Sequence, residues 1–185
     1  MNPTFQTVFD LTGQTNLIQP AYWFFAIFLL PGVVLVMLAW LAVRGRWRSR
    51  RSLPIFAAIW LVICACIITT EVRDTAAIRN AVVAGETQSV EGCLQYFRPG
   101  SPFGTKIATG NEEWSVNGLI FNYGSGEIRP TFHSVSTAGG LVRPDSRVRV
   151  SFVVSPAFGR REIVKLELAP HACPVARQVK AFDHP

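Results

Sequence analysis

Residues 21–70 read AYWFFAIFLLPGVVLVMLAWLAVRGRWRSRRSLPIFAAIWLVICACIITT, two uncharged apolar runs on either side of an arginine-rich stretch. The first run, Ala21 to Val43, is long enough to cross a hydrocarbon core of about 30 Å at about 1.5 Å per helical residue. The second run, Pro54 to Thr70, is shorter and crosses with little tilt. The pattern predicts a transmembrane helical hairpin.

The loop between the two runs, residues 44–53, decides the orientation of the hairpin. Cytoplasmic loops retain Lys and Arg, so this loop is predicted to lie in the cytoplasm beside the lipid headgroups. The N-terminal tail and everything after Thr70 then lie outside. We therefore expect a multi-pass protein of the cytoplasmic (inner) membrane with both termini extracytoplasmic. The five arginines are Arg44, Arg46, Arg48, Arg50 and Arg51.

The charge of the chain follows the same division. Up to Thr70, five arginines against one aspartate give +4, and from Glu71 onward thirteen basic against eleven acidic residues give +2. The isoelectric point near 9.6 therefore reflects mainly the cytoplasmic loop. The exported part has no Lys/Arg stripe that could follow phosphates, so nucleic acid is not an expected partner.

The composition divides the chain into five segments. Good helix formers continue from Glu71 to Ala84, and Gly85 is typical of a helix stop, so the second span should continue outward as a stalk. From Thr87 the apolar period changes to two, which is typical of strands. The expected segments are an extracytoplasmic tail over residues 1–20, the hairpin over 21–70, the helical stalk over 71–86, a β-barrel domain over 87–168 and a C-terminal tail over 169–185.

The strongest local signal in the exported part is Trp-Ser-Val-Asn-Gly-Leu-Ile-Phe, residues 114–121. Asn-Gly is typical of a type I′ turn, which joins two antiparallel strands through a two-residue loop. The turn pairs Val116 with Leu119 and Trp114 with Phe121, so all four side chains share one face. We expect that face to belong to the core.

Alternation predicts further strands over residues 88–97, 147–154 and 162–168, with residues 155–159 joining the last two as a hairpin. Five short strands with long loops after the first and the third favour a small closed barrel of OB type. A β-sandwich is the alternative.

Several of these stretches resemble a group of small bacterial membrane-anchored proteins that carry an extracytoplasmic OB-like β-barrel. The resemblance extends from about Ala77 to Leu168 and implies a fold but no activity. The group carries Gly-Phe-Asn-Asn-Thr-x-Ser-His-Gly-Gly before its fourth strand, and this chain has Ala138 at the histidine position. The stretches concerned are residues 90–92, 114–123, 132–140, 147–150 and 166–168.

The sequence offers little chemistry. The three histidines, His133, His171 and His184, are far apart, and His171 with Cys173 supplies only two of the ligands that zinc needs. Glu112 and Glu113 point to opposite sides of a strand, so they are expected to be a solvated strand start rather than an acid/base pair. No phosphate loop, dinucleotide fingerprint or nucleophile elbow is present. We expect no catalytic residues, no cofactor and no metal.

The loops over residues 98–111 and 124–145 are long for so small a domain, and long loops often bind ligands. In one interpretation the second loop binds a carbohydrate or a peptide through an aromatic face, an imidazole and hydroxyls. In the other, which we favour, Phe132 closes the barrel end and the glycines turn the chain. The candidate residues are Phe132, His133, Ser134, Ser136, Thr137, Gly139 and Gly140.

The chain contains four cysteines. Cys64 and Cys66 lie in the second apolar run, where they should stay reduced. Cys93 and Cys173 lie on the exported side, where disulfides persist. We predict a bond between them; the alternative is a buried, unpaired Cys93.

Two functions are consistent with these features. The preferred one is a non-enzymatic anchor that presents the barrel to a membrane or envelope protein partner or steadies a membrane complex. The alternative is an envelope glycan- or peptide-binding sensor that uses the long loops.

Overall fold

The computed structural model describes residues 4–19, 22–44, 52–100, 110–125 and 130–178. These residues belong to two compact units. One unit is Pro20–Thr75, and the other combines Met1–Gln19 with Ala76–Pro185. Both ends of the chain thus belong to the same unit.

The first unit is helical. Helix α1 is Tyr22–Arg44 and includes Pro31, and helix α2 is Ser52–Ala84. A Cβ atom at Gly32 of α1 would lie 3.1 Å from the Trp60 ring of α2, so the missing side chain lets the helices approach. In the arginine loop, residues 45–51 lie outside the described part of the chain.

The prediction of two membrane spans is met in part. Among the described residues, α2 alone is long and apolar enough to cross a membrane, with a mean hydropathy of 2.4 over its most apolar stretch. The apolar stretch in α1, Phe25–Leu41, is shorter. The described structure therefore contains one candidate span by length and composition.

Helix α2 ends where the sequence predicts. Gly85 has a φ of +72°, its N–H donates to the Val82 carbonyl at 3.2 Å, and the Glu86 N–H donates to the Ala81 carbonyl at 2.9 Å. This pair of bonds is the Schellman arrangement, which satisfies the last carbonyls of a helix.

The second unit is built on an antiparallel sheet of six strands in the order β1-β6-β5-β2-β3-β4. A seventh, two-residue strand, β7, pairs in parallel with β2. Strand β2 is long: its first half pairs with β5 and its second half pairs with β3 and β7. The strands are β1 (Gln6–Asp10), β2 (Gln88–Arg98), β3 (Glu112–Val116), β4 (Leu119–Tyr123), β5 (Arg147–Val154), β6 (Arg161–Ala169) and β7 (Arg177–Gln178).

The central hairpin forms in the predicted register. Asn117 and Gly118 both have positive φ, as a type I′ turn requires, and Val116 pairs with Leu119 while Trp114 pairs with Phe121. The Trp114 and Phe121 side chains are fully buried and stack with ring centroids 4.7 Å apart. The hairpin thus supplies the centre of the main core.

The closed barrel that the sequence predicts is not formed. The edge of β6 that could complete a barrel is occupied by β1, which pairs Gln6 with Leu168 and Asp10 with Lys165. No ladder joins β4 to β6 in the described sheet; the Arg161 Nη1 donates a single hydrogen bond to the Ile120 carbonyl at 3.3 Å. The segment that the sequence predicts to be an N-terminal tail therefore contributes a strand to the sheet.

A second apolar cluster involves the end of α2. Ile78 and Val82 are buried, so the predicted stalk is helical but is packed against other residues. The residues that they pack with come from the N-terminal segment and from β5 and β6: Leu11, Ile18, Val153 and Val164.

The predicted disulfide between Cys93 and Cys173 is present, with the Cα atoms 5.7 Å apart. Cys93 lies in β2 opposite Arg147, the first residue of β5, and β7 continues along that edge of β2. The bond joins β2 to the segment that precedes β7. It also fastens the C-terminal segment to the sheet.

Replacing Trp114 by Ala should lower the free energy of unfolding of the sheet unit by about 3–5 kcal/mol, because a fully buried aromatic side chain leaves a large cavity. Ser115→Ala on the opposite face of the same strand is the matched control and should change stability little. Chemical unfolding of the detergent-solubilised chain, followed by near-ultraviolet circular dichroism, measures both. Equal losses would contradict the register.

Candidate functional site

A cavity of about 230 Å³ lies between β1 and the segment that follows β4. Five of the seven predicted loop residues line it, and β1, which lies in the segment that the sequence predicts to be a tail, forms the other wall. We call this cavity the β1 pocket. Its lining residues are Val8, Phe9, Phe132, His133, Ser134, Gly139, Gly140 and Leu141.

Phe132 forms the floor of the β1 pocket. Its side chain is buried, with ring centroids 5.5 Å from Phe9 and 5.2 Å from Tyr123, both edge to face. This packing agrees with the interpretation in which Phe132 closes the end of the core. The same ring also presents an apolar surface to the cavity.

The glycines shape the loop. Gly139 has a φ of +90°, a left-handed conformation that favours glycine. A Cβ atom at Gly140 would lie 2.7 Å from the Val135 carbonyl oxygen, and the Gly140 N–H donates to that same oxygen at 2.9 Å. Only glycine fits at residue 140, because the backbone folds back on itself there.

Two buried carboxylates hold the loop from below. Glu162 accepts a hydrogen bond from the Thr131 hydroxyl at 2.9 Å, and Glu112 accepts one from the Ser136 N–H at 2.6 Å. Both side chains are almost completely shielded from solvent. Charged acceptors make stronger hydrogen bonds than neutral ones, so the loop is fixed on both sides of Phe132.

Glu112 belongs to a buried polar chain. The Tyr123 hydroxyl donates to the Glu112 carboxylate at 2.6 Å and accepts from the Trp114 indole N–H at 3.0 Å. The pKa of Tyr123 is raised well above its usual value of 10, first because burial disfavours the phenolate and then because the Glu112 carboxylate lies beside it.

The expectation that Glu112 and Glu113 are both solvated is wrong for Glu112. Its exposed fraction is 0%, whereas Glu113 is partly exposed and bridges to Arg98 at 3.2 Å. The signal was in the sequence, because the alternation that turns Trp114 and Val116 inward also turns Glu112 inward. A charged residue at a strand position that faces the core indicates a buried polar network.

The remaining predicted residues have structural partners. The Thr137 hydroxyl donates to the Gly100 carbonyl at 2.5 Å, and the Ser136 N–H is bound to Glu112, so neither residue lines the β1 pocket. The His133 Nδ1 lies 2.8 Å from the Thr131 carbonyl, which orients its ring at the pocket wall.

A second, more open depression of about 350 Å³ lies near the C-terminal segment. The His171 imidazole contacts the Asp145 carboxylate there. Cys173 is oxidised in the disulfide, so it cannot join His171 as a metal ligand. The depression is lined by Arg143, Pro144, Asp145, His171 and Val175.

The described ranges contain no group of three or more His, Cys, Asp or Glu side chains placed to hold a metal ion. His184 lies outside the described residues.

The β1 pocket has an apolar floor and a rim with an imidazole, a hydroxyl and backbone groups, which is the chemistry of a binding site.

Comparison with known proteins adds no homologue. No protein family, curated protein or solved structure matches this chain. Inferences about function therefore depend on the geometry above.

Tyr123→Phe should lower the free energy of unfolding by about 1–3 kcal/mol, because Glu112 loses a hydrogen-bond donor in a buried site. The folded pKa of Tyr123 exceeds the unfolded one, so its contribution is complete below about pH 10 and is lost as the pH rises through the folded pKa. The variant should therefore lose less stability than the parent at alkaline pH. Chemical unfolding at neutral and alkaline pH measures both effects.

The control for this variant is Tyr96→Phe, which removes a hydroxyl from a partly exposed site and should cost less. A Tyr123→Phe variant as stable as the parent at neutral pH would contradict the buried polar chain.

Proposed function

We propose that this protein is a non-enzymatic, membrane-anchored module that presents its sheet domain at the outer face of the cytoplasmic membrane. There it binds a membrane or envelope protein or supports the assembly of a membrane complex. The observation that carries the proposal is the pairing of β1 with β6, which places the segments on both sides of the helical unit in one domain.

This pairing limits the membrane topology. Strands β1 and β6 share a sheet, so the chain before α1 and the chain after α2 lie on the same side of any membrane. An even number of crossings must then separate them. If α2 crosses the membrane, α1 must cross it as well. This argument supports a two-helix hairpin, whereas length and composition by themselves support a membrane span for α2 only.

The helices have surfaces that suit lipid. Both carry exposed apolar side chains, far more than a soluble helix displays, and the Gly32 contact with Trp60 resembles the small-residue packing of membrane helices. Examples of the exposed side chains are Leu30, Val33, Phe56 and Val62.

Two further features favour an exported sheet domain. The arginines of the loop favour a cytoplasmic side for residues 44–53. The disulfide favours an oxidising compartment for the sheet. The two arguments are independent, and both orient the termini outward.

For the fold we propose an open OB-like barrel. The order β4-β3-β2-β5-β6 and a long strand shared between two halves support this assignment, since OB folds are partly open five-stranded barrels. The resemblance to small bacterial membrane-anchored proteins is consistent with it.

The β1 pocket favours a second candidate, an envelope glycan- or peptide-binding sensor. Its volume of about 230 Å³ is below the roughly 300–1,000 Å³ of small-molecule pockets. The cavity thus suits one side chain or one sugar ring rather than a long ligand. We prefer the partner-binding module because a single inserted side chain is typical of protein interfaces.

Reporter fusions test the topology. A fusion after Arg48 should be active as a cytoplasmic reporter and a fusion after Gly110 as an extracytoplasmic reporter, because the arginines stay inside and the sheet is outside. Gln19 precedes both helices, so it is tested in the full chain: the introduced cysteine of Gln19→Cys should be labelled from outside by a membrane-impermeant maleimide. A cytoplasmic Gly110 would refute the orientation. Opposite locations for Gln19 and Gly110 would refute the even number of crossings.

Affinity purification tests the function. The intact chain, extracted in mild detergent, should co-purify with a membrane or envelope protein in fixed stoichiometry, since a module acts through its partner. The Trp114→Ala variant, with a destabilised sheet and intact helices, should lose that protein. Equal recovery with both chains, or no co-purifying protein, would contradict the proposal.

A further inference from the structure

We propose that the β1 pocket takes one aromatic side chain of an extended peptide segment of a partner protein, and that an acidic residue beside this anchor pairs with Arg143. The inference rests on the proposed function and specifies its partner chemistry. It combines three separate observations: the shape of the pocket, the position of β1 and the charge beside the pocket.

The pocket fits a single anchor. Phe9 and Phe132 supply aromatic surface, and Leu141, 52% exposed, supplies an apolar rim. Aromatic pairs prefer edge-to-face contacts, which these two rings already make with each other. Interfaces concentrate binding energy in a few such buried aromatic anchors.

Strand β1 offers a place for the peptide backbone. It is the terminal strand of the sheet, and no described strand pairs with its second edge. The free N–H and C=O groups of an edge strand pair readily with an added extended segment. Because Val8 and Phe9 line the pocket, a segment added to β1 passes beside the cavity.

Arg143 supplies the charge. Arg143 lines the second depression, and its Nη1 donates to the Gly140 carbonyl at 2.8 Å and to the Val142 carbonyl at 3.1 Å. Because Gly140 belongs to the wall of the β1 pocket, the guanidinium lies beside that pocket. In the described part of the chain it forms no ion pair with a carboxylate. The arginines of β5 differ, since Arg147 and Arg149 are both bridged to Glu91. An acidic side chain on the peptide complements the unmatched cation.

The site is built before the peptide arrives. Glu112 and Glu162 fix the loop by buried hydrogen bonds, and Gly140 packs against the Val135 carbonyl. A preorganised loop reduces the entropy that binding must overcome. The pocket therefore suits a flexible segment as the partner that becomes ordered.

Isothermal titration calorimetry tests the proposal on the full chain in lipid nanodiscs. The probe is an acetylated, amidated seven-residue peptide of alternating Thr and Val with a central Phe and an Asp two residues after it, so that both side chains share one face of the extended chain. Replacing the Phe by Ala should weaken binding at least about tenfold, which is a loss of about 1.4 kcal/mol, since buried aromatic anchors carry much of the binding energy of an interface. Methylating alternate backbone amides should abolish binding if the peptide pairs with β1.

Protein variants locate the site. Leu141→Asp should weaken the Phe peptide about tenfold, because a charge at the rim faces the apolar anchor. Arg143→Glu should reverse the preference from a peptide with Asp to one with Lys. Val154→Asp is the matched control: Val154 is 44% exposed and lines neither the β1 pocket nor the second depression, so binding should not change.

Several outcomes overturn the inference. They are binding that does not depend on the Phe of the peptide, binding that Leu141→Asp does not weaken, no detectable binding of any peptide at about 1 mM, and binding of N-acetylglucosamine in place of peptide. A partner that co-purifies equally with the parent and with Leu141→Asp overturns the pocket as its site and leaves the module intact. Failure of any membrane or envelope protein to co-purify with the parent chain refutes the module itself.

Discussion

The ladder between β1 and β6 is the contact on which the arrangement of this molecule depends. Without it, residues 4–19 would be an appendage, the closing edge of β6 would be free, and the β1 pocket would lack a wall. With it, the first described residues and the last strands form one unit although two long helices separate them in sequence. The same ladder leaves the sheet open, because β1 takes the edge that β4 would need.

The second constraint is the pair of buried carboxylates under the 130–141 loop. A charge without partners is costly to bury, and Glu112 and Glu162 are both hydrogen bonded. Their carboxylate oxygens accept hydrogen bonds from a backbone N–H and a hydroxyl of the loop, so the loop is held in one position relative to the sheet. The loop and the core are coupled here, since a change that loosens Glu112 changes the loop and the core together.

Local rules predicted what depends on local chemistry. The Asn117-Gly118 turn, the stop at Gly85 and the inward face of Trp114 follow from dihedral preference and alternation, and the structure confirms them. The pairing of Cys93 with Cys173 followed from the predicted membrane sides and elimination, because these are the two cysteines that the sequence predicts to be exported.

Non-local contacts defeated the same rules. The five residues of β1 are too few for a periodic signal, and their partners in β6 are far away in sequence. For the pocket, composition singled out a loop that lines a cavity, but it could not separate His133 and Ser134, which line the cavity, from Ser136 and Thr137, which hold the loop. The burial of Glu112 was predictable from its alternation with Trp114, and its charge obscured that signal.

The ladder between the ends of the chain also has a consequence for biosynthesis. Gln6 is synthesised before both helices and its partner Leu168 after them, so this ladder can form only after the helices and most of the sheet have been made. Pairings between residues so far apart in sequence are slow to form. During that interval the edge of β6 is unpaired and exposed to other strands. The nascent protein is then most vulnerable to proteases and to aggregation, and a chaperone would have the most effect at this stage.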